Sequence, residues 1–150
     1  MHRILRWAIK MKKLVIKKVA WITGASSGIG EALCYKLSNE GWEIILTARR
    51  LEKLKNVSLK LKTNFMLVPA DVTDEYQMKD AIKSIYRKFK SVDLCILNAG
   101  IYKSVDGKKI ISKTYKEQMN TNYIGVINAL EGIVPRMVDK GNGQIMVVAS

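Results

Sequence analysis

A chain of 150 residues, 48% of them apolar and 26% charged, can close one hydrophobic core and is too apolar to stay disordered. Its two cysteines, Cys34 and Cys95, have no metal-ligand spacing and make no disulfide framework. Buried free thiols in a reducing, cytoplasmic compartment are the expectation, with no metal site. Seven of the +13 net charges, on Arg3, Arg6, Lys10, Lys12, Lys13, Lys17 and Lys18, lie in residues 1–18 without an acid, leaving +6 for the rest.

This distribution divides the chain into a basic N-terminal extension, 1–18, and one domain, 19–150. The extension is a solvated tail, or else a contact for nucleic acid or an anionic membrane. The tail is the simpler reading, so no nucleic-acid partner is expected. Met11 would also serve as a start. Charges interrupt every apolar run before Val19, and no run approaches membrane-spanning length. Neither a signal peptide nor an integral membrane segment is therefore expected.

The first element is the apolar strand from Val19 to Thr23. It stops at Gly24-Ala25-Ser26-Ser27-Gly28-Ile29-Gly30, and a helical pattern opens at Glu31-Ala32-Leu33. Strand, glycine turn and helix, in that order, form the layout of a dinucleotide-binding βα unit. Gly24 turns the chain sharply off the strand. Gly28 lets a pyrophosphate approach main-chain amides, and Gly30 lets the helix pack closely on the sheet. The first-turn N–H groups and the positive end of the helix dipole would then meet the anion.

Ile29, Leu33 and Leu37 recur at helical spacing before a stop at Gly41. Glu43–Ala48 reads as a second strand, followed by a helix with Leu51, Leu54 and Leu61 on one face. Phe65–Val68 is the third strand, ending at Pro69-Ala70-Asp71. Thr73 or Asp74 caps the next helix, whose inner stripe is Met78, Ala81/Ile82, Ile85 and Phe89. Val92–Leu97 is the fourth strand. The longest helix carries Tyr115, Met119, Asn122, Val126, Leu130 and Val134 along one face, with a bend or break expected at Pro135. After Gly141-Asn142-Gly143, residues Gln144–Ser150 form a fifth strand. Near-continuous apolar strands alternating with helices specify a doubly wound, Rossmann-like parallel α/β sheet of strand order 3-2-1-4-5.

Ligands of such sheets sit beyond the carboxyl ends of the strands, at the switch point between strands 1 and 4. After strand 2 stands Ala48-Arg49-Arg50. A carboxylate there would bind ribose hydroxyls and repel a 2′-phosphate, whereas a guanidinium pairs phosphate bidentately. Arg49 is therefore assigned to a phosphate, implying NADP in preference to NAD. Arg50 either joins it or simply opens an exposed helix. Ser26 could supply a further hydroxyl.

Led by Thr23, the glycine loop reads Thr-Gly-Ala-Ser-Ser-Gly-Ile-Gly, which closely resembles the motif of the short-chain dehydrogenase/reductase family. The resemblance implies cofactor binding by Gly24, Ser26, Ser27, Gly28, Ile29 and Gly30. It implies that Asp71-Val72 holds the adenine and that Asn98-Ala99-Gly100 steadies the central sheet beside the cofactor. It makes Asn122 the catalytic asparagine, with Asn120 as competitor, and Ser150 the catalytic serine that holds the substrate oxygen. The family's Tyr-x-x-x-Lys would follow about a dozen residues beyond Ser150 and is absent from these residues. Tyr86-x-x-x-Lys90 spells it, but on a helix at the opposite edge of the sheet from the cleft, so it is read as chance.

The expected function is thus an NADP-dependent oxidoreductase acting on a small carbonyl or alcohol substrate, present here as an N-terminal fragment inactive alone. The alternative is a non-catalytic NADP-binding module. The resemblance also implies a homo-oligomer, a sixth strand beside the fifth, and a dimer interface on the helix of Asn122. Without that neighbour, Ile145–Ala149 would leave an unprotected apolar edge.

Overall fold

A computed structural model describes the chain over residues 17–104 and 108–149. Most of the basic extension and the serine candidate Ser150 lie outside the described residues. The elements, in order, are β1 (Val19–Thr23), α1 (Gly28–Asn39), β2 (Glu43–Ala48), α2 (Leu51–Ser58), β3 (Phe65–Pro69) and α3 (Glu75–Lys88). Then follow β4 (Leu94–Leu97), α4 (Ser112–Met119), a π-helical turn (Asn120–Ile124), α5 (Gly125–Lys140) and β5 (Gln144–Val147). The strands pair in parallel in the order β3-β2-β1-β4-β5.

Alternation along the central strands sends side chains to two cores. Trp21, Ile45, Cys95 and Leu97 pack under α3 and α5, against Met78, Ile82, Ile85, Ala129 and Ile133. Ala20, Ile22, Ile44, Leu46, Leu94 and Ile96 pack on the other face, against Cys34 of α1 and Leu54 and Val57 of α2. Helix α3 forms as its pattern predicts: Asp74 accepts from Gln77 N at 3.0 Å, and Met78, Ala81, Ile82 and Ile85 are buried. Both cysteines are free and buried, and burial, joined at Cys34 by the nearby Glu31 carboxylate, pushes each thiol up to about 12.

Three local expectations are corrected. In α1 the buried residues are Gly30, Cys34 and Ser38, while Ile29 is 61% exposed. The small residues face inward, and Leu33 and Leu37 pack at the margin. In α5 the buried stripe is Gly125, Ala129, Ile133 and Met137, with Val126 and Leu130 flanking it and Val134 exposed. Tyr115 and Met119, on the face expected to turn inward, are themselves exposed, and the inward face of α5 lies one residue earlier than expected. Pro135 does not end the helix, which runs on to Lys140; the departure from α geometry falls upstream, at Asn120–Ile124.

Candidate active site

The ends of β1 and β4 are laced together by two side chains. Thr23 Oγ1 accepts from Asn98 N at 3.0 Å and from Ala99 N at 3.1 Å. Asn98 Nδ2 donates back to Thr23 O at 3.2 Å and Gly24 O at 3.4 Å. The glycine loop closes over this knot. Gly24 has φ +66°, and a Cβ on it would stand 2.8 Å from Ala99 Cα. A Cβ on Gly30 would stand 2.4 Å from Gly24 O and 2.6 Å from Asn98 Nδ2. Gly28 differs. Its φ of +58° is left-handed, but a Cβ there would meet nothing within 4 Å, so it faces open space. Ser27 precedes α1 in an extended conformation without a side-chain cap, and the first-turn amides have no intrahelical acceptor.

Beyond the carboxyl ends of the strands lies a cavity of about 320 Å³. Gly24, Ser26, Ser27, Ile29, Arg49, Arg50, Asp71, Val72, Asn98, Ala99 and Gly100 all line it. Gly30, of the same loop, is packed against Gly24 and Asn98, and Gly28 faces open space beside the lining residues. Three polypeptide ends thus converge as the doubly wound topology requires: the β1–α1 loop, the Ala48-Arg49 end of β2, and the Asp71-Val72 end of β3.

Each wall has its own fastening. Asp71 Oδ1 accepts from Thr73 N at 3.0 Å and Thr73 Oγ1 at 2.9 Å, and its Oδ2 stands 3.9 Å from Arg49 Nη1. Val72 O accepts from Asn128 Nδ2 at 2.9 Å, and Gly125 gives Val72 room, since a Cβ there would lie 2.7 Å from Val72 Cγ2. Asn122 grips the loop following β4: its Oδ1 accepts from Ile101 N at 2.8 Å and its Nδ2 donates to Ile101 O at 2.9 Å. The loop is pinned further by Lys103 N on Gln118 Oε1 at 3.1 Å and by an ion pair between Lys103 and Glu117, which holds the Glu117 carboxyl below its ordinary range.

The side chain of Asn122 is therefore engaged with backbone, and it is the adjacent Thr121 that lines the cavity. Asn120 is exposed. Residue-by-residue reading of the sequence missed Thr121, Asn128 and the strapping role of Thr23. No periodicity marks them, because each acts through a bond to distant main chain or through the π turn. Tyr86 lies away from the cavity, with the Arg136 guanidinium 4.9 Å above its ring.

Comparisons with known proteins agree with this geometry. The family model described as short chain dehydrogenase matches residues 18–150. Mouse dehydrogenase/reductase SDR family member 7 is 32% identical over 139 residues, an alignment covering 88% of this chain and 41% of that protein. A 3-ketoacyl-ACP reductase of Sinorhizobium meliloti superposes with a TM-score of 0.79 at 32% identity, over 88% of this chain and 53% of that one. An alcohol dehydrogenase of Thermococcus sibiricus, solved with 5-hydroxy-NADP, superposes with a TM-score of 0.82 at 27% identity, over 87% of this chain and 57% of that one. The chain thus spans about half the length of the proteins it matches. Its glycine loop, its strand order and the matched residues 18–150 show that it belongs to the short-chain dehydrogenase/reductase family.

Proposed function

We propose that the cavity binds NADP(H) in preference to NAD(H) and serves an oxidoreductase of carbonyl or alcohol carbons. The observation that carries the reading is Arg49, which lines the cavity at the end of β2 directly after Ala48, where a carboxylate would otherwise hold the ribose. The residues fit the group. The cavity volume suits a nucleotide portion, Gly28 leaves open space before the N-terminus of α1, and the wall offers a guanidinium for a phosphate and a carboxylate for an amine.

When bound, the nicotinamide supplies or accepts the hydride. The chain's own residues bind and orient it. Arg49, with Arg50 and Ser26, holds the 2′-phosphate, Asp71 and the Val72 amide hold the adenine, and Ser27 and Ile29 contribute to the phosphate loop. Asn98, Ala99 and Gly100 fix the floor. Asn122 keeps the Ile101 backbone in position, and Ser150 is assigned to the substrate oxygen. Among the described residues no tyrosine lines the cavity, so residues 1–150 by themselves are expected to bind nucleotide without turning it over. The buried thiols fit a reducing, cytoplasmic setting, and the exposed face of α4 and α5 fits a homo-oligomer.

Titration of the chain with NADPH and NADH tests the reading. A charge-assisted contact contributes roughly 1.5–3 kcal/mol, so NADPH should bind about ten- to hundredfold tighter, and Arg49→Ala should abolish the difference. Equal affinities in the unmodified chain would overturn it.

A further inference from the structure

The adenosine end of the cavity contains one acid facing its bases, and that acid is fixed while its partner is loose. Asp71 Oδ1 is engaged twice by Thr73, at 3.0 Å from the amide and 2.9 Å from the hydroxyl. Its own amide donates to Gln77 Oε1 at 3.0 Å. Gln77 is held in turn by Asp74, through Gln77 N at 3.0 Å and Nε2 at 2.8 Å. The carboxylate cannot turn without breaking these bonds, and it presents Oδ2 to Arg49 Nη1 at 3.9 Å. The Arg49 side chain is 71% exposed against 30% for Asp71, so of the two only the arginine is free to swing.

We infer that Asp71 sets the strength of 2′-phosphate discrimination: it is an immobile carboxylate that holds the Arg49 guanidinium over the cavity and competes with the phosphate for it. The inference rests on the NADP reading above. A nucleotide carrying a 2′-phosphate must draw Arg49 from this carboxylate and accept its repulsion. A nucleotide without that phosphate leaves the pair intact. Neutralising Asp71 changes the local charge of the pair from zero to +1, which favours the phosphorylated ligand alone.

The experiment is calorimetric titration of the 150-residue chain at low salt with 2′,5′-ADP and 5′-AMP. The ratio of the two dissociation constants cancels any loss of adenine contact common to both ligands. In Asp71→Asn the preference for 2′,5′-ADP should rise by about two- to fivefold, the range of an exposed ion pair, and the rise should shrink in an Arg49→Ala background. Thr73→Val removes the hydroxyl tether and keeps the charge, so it should shift the ratio the same way by less; it decides the matter should Asp71→Asn not fold. An unchanged or lower ratio, or a rise of equal size without Arg49, overturns the inference. If the unmodified chain prefers 2′,5′-ADP and Asp71→Asn leaves the ratio unchanged, the NADP reading stands and this inference alone fails. If the unmodified chain binds both ligands equally, the NADP reading fails and this inference with it. If the unmodified chain binds neither, both fail.

Discussion

Strands β4 and β5 are neighbours of four residues each, the first wholly apolar and the second apolar but for Gln144, and they occupy opposite environments. All of Leu94–Leu97 is buried, whereas all of Gln144–Val147 is exposed. β4 lies between β1 and β5 with helices over both faces, and its carboxyl end is laced to β1 by Thr23 and Asn98. Among the described residues β5 pairs on one side only, leaving Ile145, Met146, Val147 and Val148 exposed, with Ile145 beside Val134 and Val138 of α5. An apolar run therefore reports that a segment is a strand; what covers it decides whether it is core. The same contrast separates the tightly packed Gly24, Gly30 and Asn98 at the ends of β1 and β4 from the open edge at β5.

The sharpest way to break this comparison is to add volume at each end. Gly30→Ala drives a methyl into the Gly24 carbonyl and the Asn98 amide, which are backbone and a fastened side chain, so neither yields. Its cost should reach about 3 kcal/mol, at the top of the overpacking range, and urea unfolding would measure it. A loss below about 0.5 kcal/mol would mean that the loop is looser than described.

A second test uses pH, since both thiols belong to the covered half of the molecule. Their folded pKa values near 12 lie above the ordinary thiol value of 9.0, so the folded state holds protons that the unfolded chain releases. Stability should be constant below about pH 8.5 and fall as the pH rises from there through about 12. Tyr35, raised to about 12 by burial and by its bond to Glu31, adds to the upper part of that window. Replacing Cys34 and Cys95 by alanine should flatten the alkaline slope of the unfolding free energy. An unaltered slope would show that the thiols are not sequestered.

The smallest effect on stability belongs to the open edge. Val147→Lys places a charge on an exposed strand, a common device against edge-to-edge pairing, and should change unfolding by less than about 0.5 kcal/mol. Concentration-dependent light scattering should nevertheless fall. A large stability loss would mean that the edge is already covered in solution, by a second copy of the chain.

Much of the fold was legible because its determinants are local. Continuous apolar strands, glycines at fixed offsets and the Asp74 cap are each readable within a few residues, and together they determine the sheet order and the position of the cavity. What escaped is non-local. The inward faces of α1 and α5 are built from Gly30, Cys34, Gly125 and Ala129, small residues that a hydrophobic stripe does not select but that close approach demands. Pro135 suggested a break that the helix does not show, while the π turn that carries Asn122 in its hold on Ile101 has no sequence mark. Asn128 could be found only by seeing the Val72 carbonyl it meets.

The central claim is that the nucleotide lies across the ends of β1–β4. Backbone amide chemical-shift mapping of the isotope-labelled chain during an NADPH titration tests it most directly. The account predicts perturbations concentrated in Ser26–Gly30, Arg49–Arg50, Asp71–Val72 and Asn98–Ile101, with β5 and the Asn64–Phe65 end of the sheet unmoved. Perturbations centred on β5 or on Asn64–Phe65, with the glycine loop silent, would contradict it.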